Sequence, residues 1–163
     1  RRSSDLGLAV TTFIGQNYGA GNLARCRRIT RVSTLLAMIV AVSLSLLVLI
    51  FSRFLLGYFT ASETVISFGI IRLIYICIPQ PLSVVMEIMS GAMRGVGYSF
   101  PPALVTLISI CGSRIIYVMT VFKQTPTYDC LMMVYPISWL LCTLLLIALY
   151  YYNLRNIQAK QAC

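Results

Sequence analysis

The chain has 163 residues, 59% hydrophobic and 10% charged, against roughly 25% charged in a typical soluble domain. With a mean hydropathy of +0.87, that composition excludes a water-solvated surface and defines a membrane protein. The formal charge of +9, from 13 basic and 4 acidic residues, fits the loops of such a protein; with no soluble domain to carry a basic face, nucleic acid is not an expected partner.

No histidine is present, which removes imidazole acid–base catalysis and most transition-metal sites. No catalytic or metal-binding residue is therefore expected. The six cysteines (Cys26, Cys77, Cys111, Cys130, Cys142 and Cys163) show no CxxC spacing and read as inert thiols, since a buried cysteine behaves as a small hydrophobe.

In chain order, residues 6–16 open with an apolar stretch only half the length of a span. A start in mid-helix reads as the C-terminal part of a larger protein. "GQNYGAGN" follows, from Gly15 to Asn22. It lacks the Lys-Ser/Thr ending of a phosphate-binding loop and follows a helix rather than a strand. The spacing of Gly15 and Gly19, repeated by Gly91 and Gly95, instead suits close helix approach, with Gln16 and Asn17 satisfying nearby backbone groups. Residues 17–31 are expected to form a loop.

Four segments then reach the roughly 20 apolar residues a bilayer requires: 32–52, 65–90, 101–122 and 131–152. "TASE" (Thr60 to Glu63) reads as a capping box before the second. Pro79 and Pro81 should kink that span, and Pro101 and Pro102 suit the first turn of the third. Basic residues then give the orientation. Arg25, Arg27, Arg28, Arg31, Arg94, Arg155 and Lys160 fall on one side, and only Arg53 and Lys123 on the other. The richer side, with the C-terminus, is expected to be cytoplasmic, and Tyr150, Tyr151 and Tyr152 suit its interface.

Polar residues inside the spans share faces. At about 100° per residue, Arg72, Gln80, Ser83, Glu87, Ser90 and Arg94 fall in one wedge. Thr106, Ser109, Ser113, Tyr117 and Thr120 fall in another, with Arg114 on its flank. Serine and threonine alone would be helix glue. Ionisable residues within a span mark a cavity or a partner. Glu87 is expected to be the one acid buried in a span, where desolvation favours its neutral form and suits reversible protonation or cation binding. Gln80, Ser83, Arg114 and Tyr117 are the expected cavity lining, and no Glu87–Arg114 pair is expected because the two lie at different depths.

"TTFIGQNYGAGNLARCRR", "YFTASETV", "SGAMRGVGYSFPP" and "YPISWLLCTLLLIALYY" together resemble the multidrug and toxin extrusion (MATE) family. The resemblance implies an all-α polytopic helical bundle, part of a C-terminal second lobe. Residues 6–16 would end helix 8 and 17–31 would be a cytoplasmic loop. Helices 9, 10, 11 and 12 would occupy 32–52, 65–90, 101–122 and 131–152, with a cytoplasmic tail at 153–163. Gly15, Gln16, Asn17, Gly19, Gly91, Arg94 and Gly95 would be packing motifs at the cytoplasmic face. The implied activity is export of cationic or amphipathic small molecules across the cell (plasma or inner) membrane, in exchange for Na+ or H+ and with no organic cofactor. The implied partners are the lipid bilayer and a missing N-terminal lobe. Several members carry an acidic residue on helix 10; that position matches Ser83 here, so the match fails there, and Glu87, one turn nearer the cytoplasm, is the expected candidate for the role. Two alternatives are a lipid-linked oligosaccharide flippase of the same superfamily, with Arg72 and Arg114 receiving an anionic head group, and a membrane-embedded lipid-modifying enzyme. The second is disfavoured by the lack of histidine and of clustered acids.

Overall fold

The structure, a computed structural model, describes residues 2–60, 62–124 and 127–162, with side chains over 6–60, 62–124 and 127–157. Cys163 and the side chain of Lys160 lie outside the described residues. The described elements are all helical. In order they are α1 (Arg2–Gly19), α2 (Leu23–Ile50), α3 (Ser52–Phe59), α4 (Glu63–Cys77), α5 (Gln80–Gly95), α6 (Phe100–Leu107), α7 (Ser113–Tyr117), α8 (Tyr128–Met132) and α9 (Val134–Ala162). Two π-helical turns, Ile108–Gly112 and Val118–Phe122, join α6 to α7 and extend α7. Four continuous stretches are long and apolar enough to cross a bilayer: Leu23–Ile50, Glu63–Gly95, Phe100–Phe122 and Tyr128–Ile157. The expected all-α polytopic bundle is the observed one.

The connection between α1 and α2 is much shorter than the expected loop over 17–31. α1 runs on through Asn17 to Gly19, and α2 begins at Leu23. The reason lies in the turn itself. Gly21 has φ +74°, a left-handed conformation that glycine adopts at little cost. The amide of Gly21 donates to the carbonyl of Tyr18, and that of Asn22 to the carbonyl of Asn17, closing a Schellman-type cap. Asn22 then caps α2, its side-chain oxygen accepting from the amide of Arg25 at 3.1 Å. The arginines that follow keep long stems on the helix and carry their charges outward.

The same device recurs at the end of α5. Gly97 has φ +90°, and the amides of Gly97 and Tyr98 donate to the carbonyls of Arg94 and Met93. Pro101 and Pro102 occupy the first turn of α6, where a missing N–H leaves no extra orphan.

The second span, Glu63–Gly95, carries the expected irregularity at its prolines. α4 ends at Cys77, and α5 restarts at Gln80 with Pro79 as its cap. Pro79 and Pro81 supply no N–H to the carbonyls of Tyr75 and Cys77, four residues before them, so the hydrogen-bond ladder is interrupted there. "TASE" does not form a capping box. Ser62, not Thr60, precedes α4; Thr60 Oγ1 accepts from the amide of Ser62, and the Glu63 carboxylate turns to Arg53 at 3.3 Å.

Residues 153–162, the expected tail short of Cys163, are helical, since α9 continues to Ala162. Its apolar stripe also continues: Cys142, Leu146, Tyr150, Leu154 and Ile157 are all buried, at the three- and four-residue spacing of one helix face. α5 is the hub of the bundle, packed against α1, α2 and α9. The core lies at this junction, built on Val10, Ile14, Cys26, Ile88, Met93 and Leu146. Much of α2 faces outward, with Leu35, Leu36, Ile39, Leu44 and Leu47 exposed, as suits a helix in lipid.

Candidate functional site

The site begins where α1 crosses α5. Hydrogen in place of a side chain lets the two backbones meet. A methyl group at Gly91 would stand 2.7 Å from the carbonyl oxygen of Gly7, and one at Gly95 would stand 2.8 Å from that of Thr11. No real carbon is tolerated at such separations, so these two glycines set the distance between the helices. Thr11 closes the contact. Its hydroxyl lies 2.8 Å from the carbonyl oxygen of Gly7 and 2.9 Å from that of Gly91, so a single donor is shared between the helices. Gly15 makes only an ordinary contact, 3.4 Å from its Cβ position to the carbonyl of Gly95, and among the described residues nothing lies within 4 Å of that position on Gly19. The expected close packing at Gly19 is therefore not there: α1 has passed α5 by then and is turning into its cap.

Glu87 lies one turn before Gly91 on this helix. It is neither enclosed nor alone, contrary to the sequence expectation. Its side chain is 38% exposed, and its carboxylate stands 4.0 Å from the Arg94 guanidinium two turns along α5. Both side chains belong to the wedge read from the sequence, and their length bridges the two turns. Gly7 makes the room: a methyl there would sit 3.0 Å from Glu87 Oε1 and 3.6 Å from Arg94 Nη2. The pair is thus laid across the glycine seam of α1. A half-exposed acid held by a nearby cation can exchange one positive partner for another, since the attraction it gives up is modest at such exposure.

Ser83 and Gln80 lie one and two turns back from Glu87 toward the start of α5, beside the proline break. Both are half-buried, and the Ser83 hydroxyl donates to the Gln80 carbonyl at 2.8 Å. Across from them Thr143 of α9 donates to the Leu82 carbonyl at 3.2 Å, tying the first turn of α5 to the last long helix. Interrupted helices of this kind expose backbone carbonyls at membrane depth, a feature tolerated where they line a cavity or meet an ion.

Arg114 and Tyr117 form a separate cluster. The Arg114 guanidinium lies 4.8 Å from the centroid of the Tyr135 ring, a cation–π contact. Its Nε is buried without a hydrogen-bond partner among the described residues. The Tyr117 hydroxyl donates to the Cys130 carbonyl at 2.9 Å, so it fastens α7 to α8 instead of standing free. The two π-helical turns flank this segment, and such turns recur at functional sites. They also disturb the even wedge expected of the third span: Ser109 is buried, whereas Thr120 is exposed and bonds back to its own helix.

Asn17 satisfies the Phe13 carbonyl at 2.7 Å, whereas the Gln16 side chain is exposed. Thr11, Gly7 and Tyr135 carry geometry that the sequence did not single out. Gly7 and Thr11 were legible in principle as a small-residue pair four apart, matching Gly91 and Gly95. Tyr135 was not, because only the pairing of α7 with α9 brings it under Arg114.

Membrane-length helices, joined by tight glycine caps and carrying hydrophilic groups along a close-packed seam, define a polytopic helical membrane protein. The MatE family pattern matches residues 4–120, and the chain belongs to that family. It is also similar to the probable multidrug resistance protein NorM of Thermotoga maritima, 27% identical over 121 residues, which is 73% of this chain and 26% of that protein. The chain thus spans about a quarter of the length of that relative.

Proposed function

We propose that the chain is part of a secondary-active exporter of cationic or amphipathic small molecules, working by alternating access in exchange for Na+ or H+. The observation that carries this reading is MatE membership together with a membrane-length helix broken at Pro79 beside Gln80 and Ser83. The similarity to a probable multidrug resistance protein supports the substrate class. Glu87 is the ion-coupling residue. In one state Arg94 neutralises it, as here; in the other a proton or sodium ion takes that place, and the charge on the seam changes with the state of the lobe. Gln80 and Ser83 line the route on α5. Arg114 and Tyr117 hold its far wall through Tyr135 and Cys130. The basic end, with Arg25, Arg27, Arg28, Arg31, Arg94 and Arg155, lies at the cytoplasmic face of the cell membrane. An N-terminal lobe completes the transporter, since alternating access requires one half to rock against the other.

The test uses the full-length protein in proteoliposomes. Glu87→Gln should lose dye efflux driven by a sodium or proton gradient while dye binding and expression persist. Gradient-driven efflux at the wild-type rate and stoichiometry in that variant would remove Glu87 from the coupling.

A further inference from the structure

We infer that a pocket between α2 and α9 at the basic end binds the phosphate of an anionic lipid headgroup. Arg27 and Arg31 of α2 and Arg155 of α9 converge on it, with Thr30, Tyr150 and Tyr151 between them. Its volume is about 240 Å³, space on the order of eight water molecules at about 30 Å³ each, enough for a phosphodiester group. This site is distinct from the glycine seam and does not depend on the transport reading.

Helix stability does not explain these arginines. Arg27 and Arg31 are four residues apart on one face, where like charges repel. They also stand near the N-terminus of α2, the end of a helix dipole that disfavours cations, and its first turn contains no acid to offset them. Among the described residues none of the three makes an ion pair: the two ion pairs are Arg53–Glu63 and Arg94–Glu87. Glu87 belongs to a different face of α5. Met89 lines the pocket, and Glu87, two residues and about 200° away, looks toward Gly7 of α1. Three guanidiniums without a carboxylate leave a concentrated positive field that an anion would relieve.

The remaining lining points to a lipid instead of a free ion. Met89 and Leu154 give the pocket an apolar floor on which the upper part of an acyl chain can lie. Tyr151 is exposed at the rim, 5.6 Å from the Tyr150 ring and edge-on to it, as aromatic rings stand at headgroup level. Tyr150 is buried and fixed, its hydroxyl donating to Thr30 Oγ1 at 3.1 Å, while Thr30 donates to the Cys26 carbonyl. The wall of the pocket is therefore preformed. Basic pockets between membrane helices are recognised headgroup sites.

The test is native mass spectrometry of the purified full-length protein, offered equal amounts of phosphatidylglycerol and phosphatidylcholine with identical chains. Phosphatidylglycerol should be retained preferentially. Arg155→Gln should weaken that preference about fivefold, and the Arg27→Gln/Arg31→Gln pair more, on the scale of one basic residue near a lipid surface. Arg25→Gln removes the same charge from another face of α2 and should change it less than about twofold. Arg155→Lys should retain it, and as a rim substitution on α9 Arg155→Gln remains readable if the α2 pair fails to fold. An equal loss in Arg25→Gln would show diffuse charge and overturn the site. So would a lack of preference in the wild type. Displacement of phosphatidylglycerol by millimolar inorganic phosphate would identify a free-anion site and overturn the lipid assignment.

Discussion

The two ends of the bundle are built differently. At the basic end α1, α2, α5 and α9 close on one another with backbone contacts at Gly91 and Gly95, and the main core lies there. At the opposite end α3, α4 and α8 touch through a thin set of side chains. Buried groups there are few, such as Ser52, Ile66 and Met132, and the ion pair joining the outer ends of α3 and α4 has side chains 74% and 75% exposed. The contrast shows where rigidity and freedom have been placed. A glycine-locked end can move as a unit, while a lightly packed end, next to a broken helix, can open. That division would suit the rocking motion proposed above.

The largest expected effect comes from spoiling the lock. Gly91→Ala drives a methyl into the Gly7 backbone, which has no flexible end to yield. It should cost about 3 kcal/mol, read as a fall in thermal unfolding midpoint of the full-length protein in detergent; an unchanged midpoint would show that α1 and α5 do not set each other's position. Pro79→Ala acts on the free end. It restores an N–H to the Tyr75 carbonyl, so stability should hold or rise by about 1 kcal/mol while gradient-driven efflux falls. Efflux at full rate in a straightened α4–α5 would separate the break from function. Thr11→Val keeps shape but loses the shared hydroxyl, at a cost of about 1 kcal/mol. The smallest effect belongs to Arg53→Gln: an ion pair this exposed contributes under about 1 kcal/mol, and a larger loss of stability would mean that the far end is held more firmly than its packing indicates.

The sequence disclosed the elements whose physics is local. Apolar length announced four membrane-length stretches, Pro101 and Pro102 marked the start of α6, and Pro79 with Pro81 marked an interruption. Most arginines fall toward one end, a topological bias of membrane proteins that is carried by the sequence itself. What escaped was decided by partners. The start of α2 at Leu23 depends on Gly21 and Asn22 forming a tight cap, which made a helix of a segment whose charge suggested a loop. The continuation of α9 to Ala162 depends on the floor that α2 and α5 provide for Leu154 and Ile157. Glu87 looked solitary because its partner Arg94 lies two turns away on the same helix, within reach only of two long side chains at full stretch. Gly15 and Gly19 share a spacing with Gly91 and Gly95, but spacing does not say where two helices cross, and the crossing falls at Gly7 and Thr11. The π-helical turns around Arg114 left no sequence sign.

The most direct measurement is water access to Ser83 in the full-length protein. Ser83→Cys, in a background without other cysteines, would be treated with a membrane-impermeant thiol reagent from each side under opposed ion gradients. Labelling is expected from one side in one gradient and from the other side in the reverse. A thiol unreactive from both sides in every gradient would contradict a permeation route along α5.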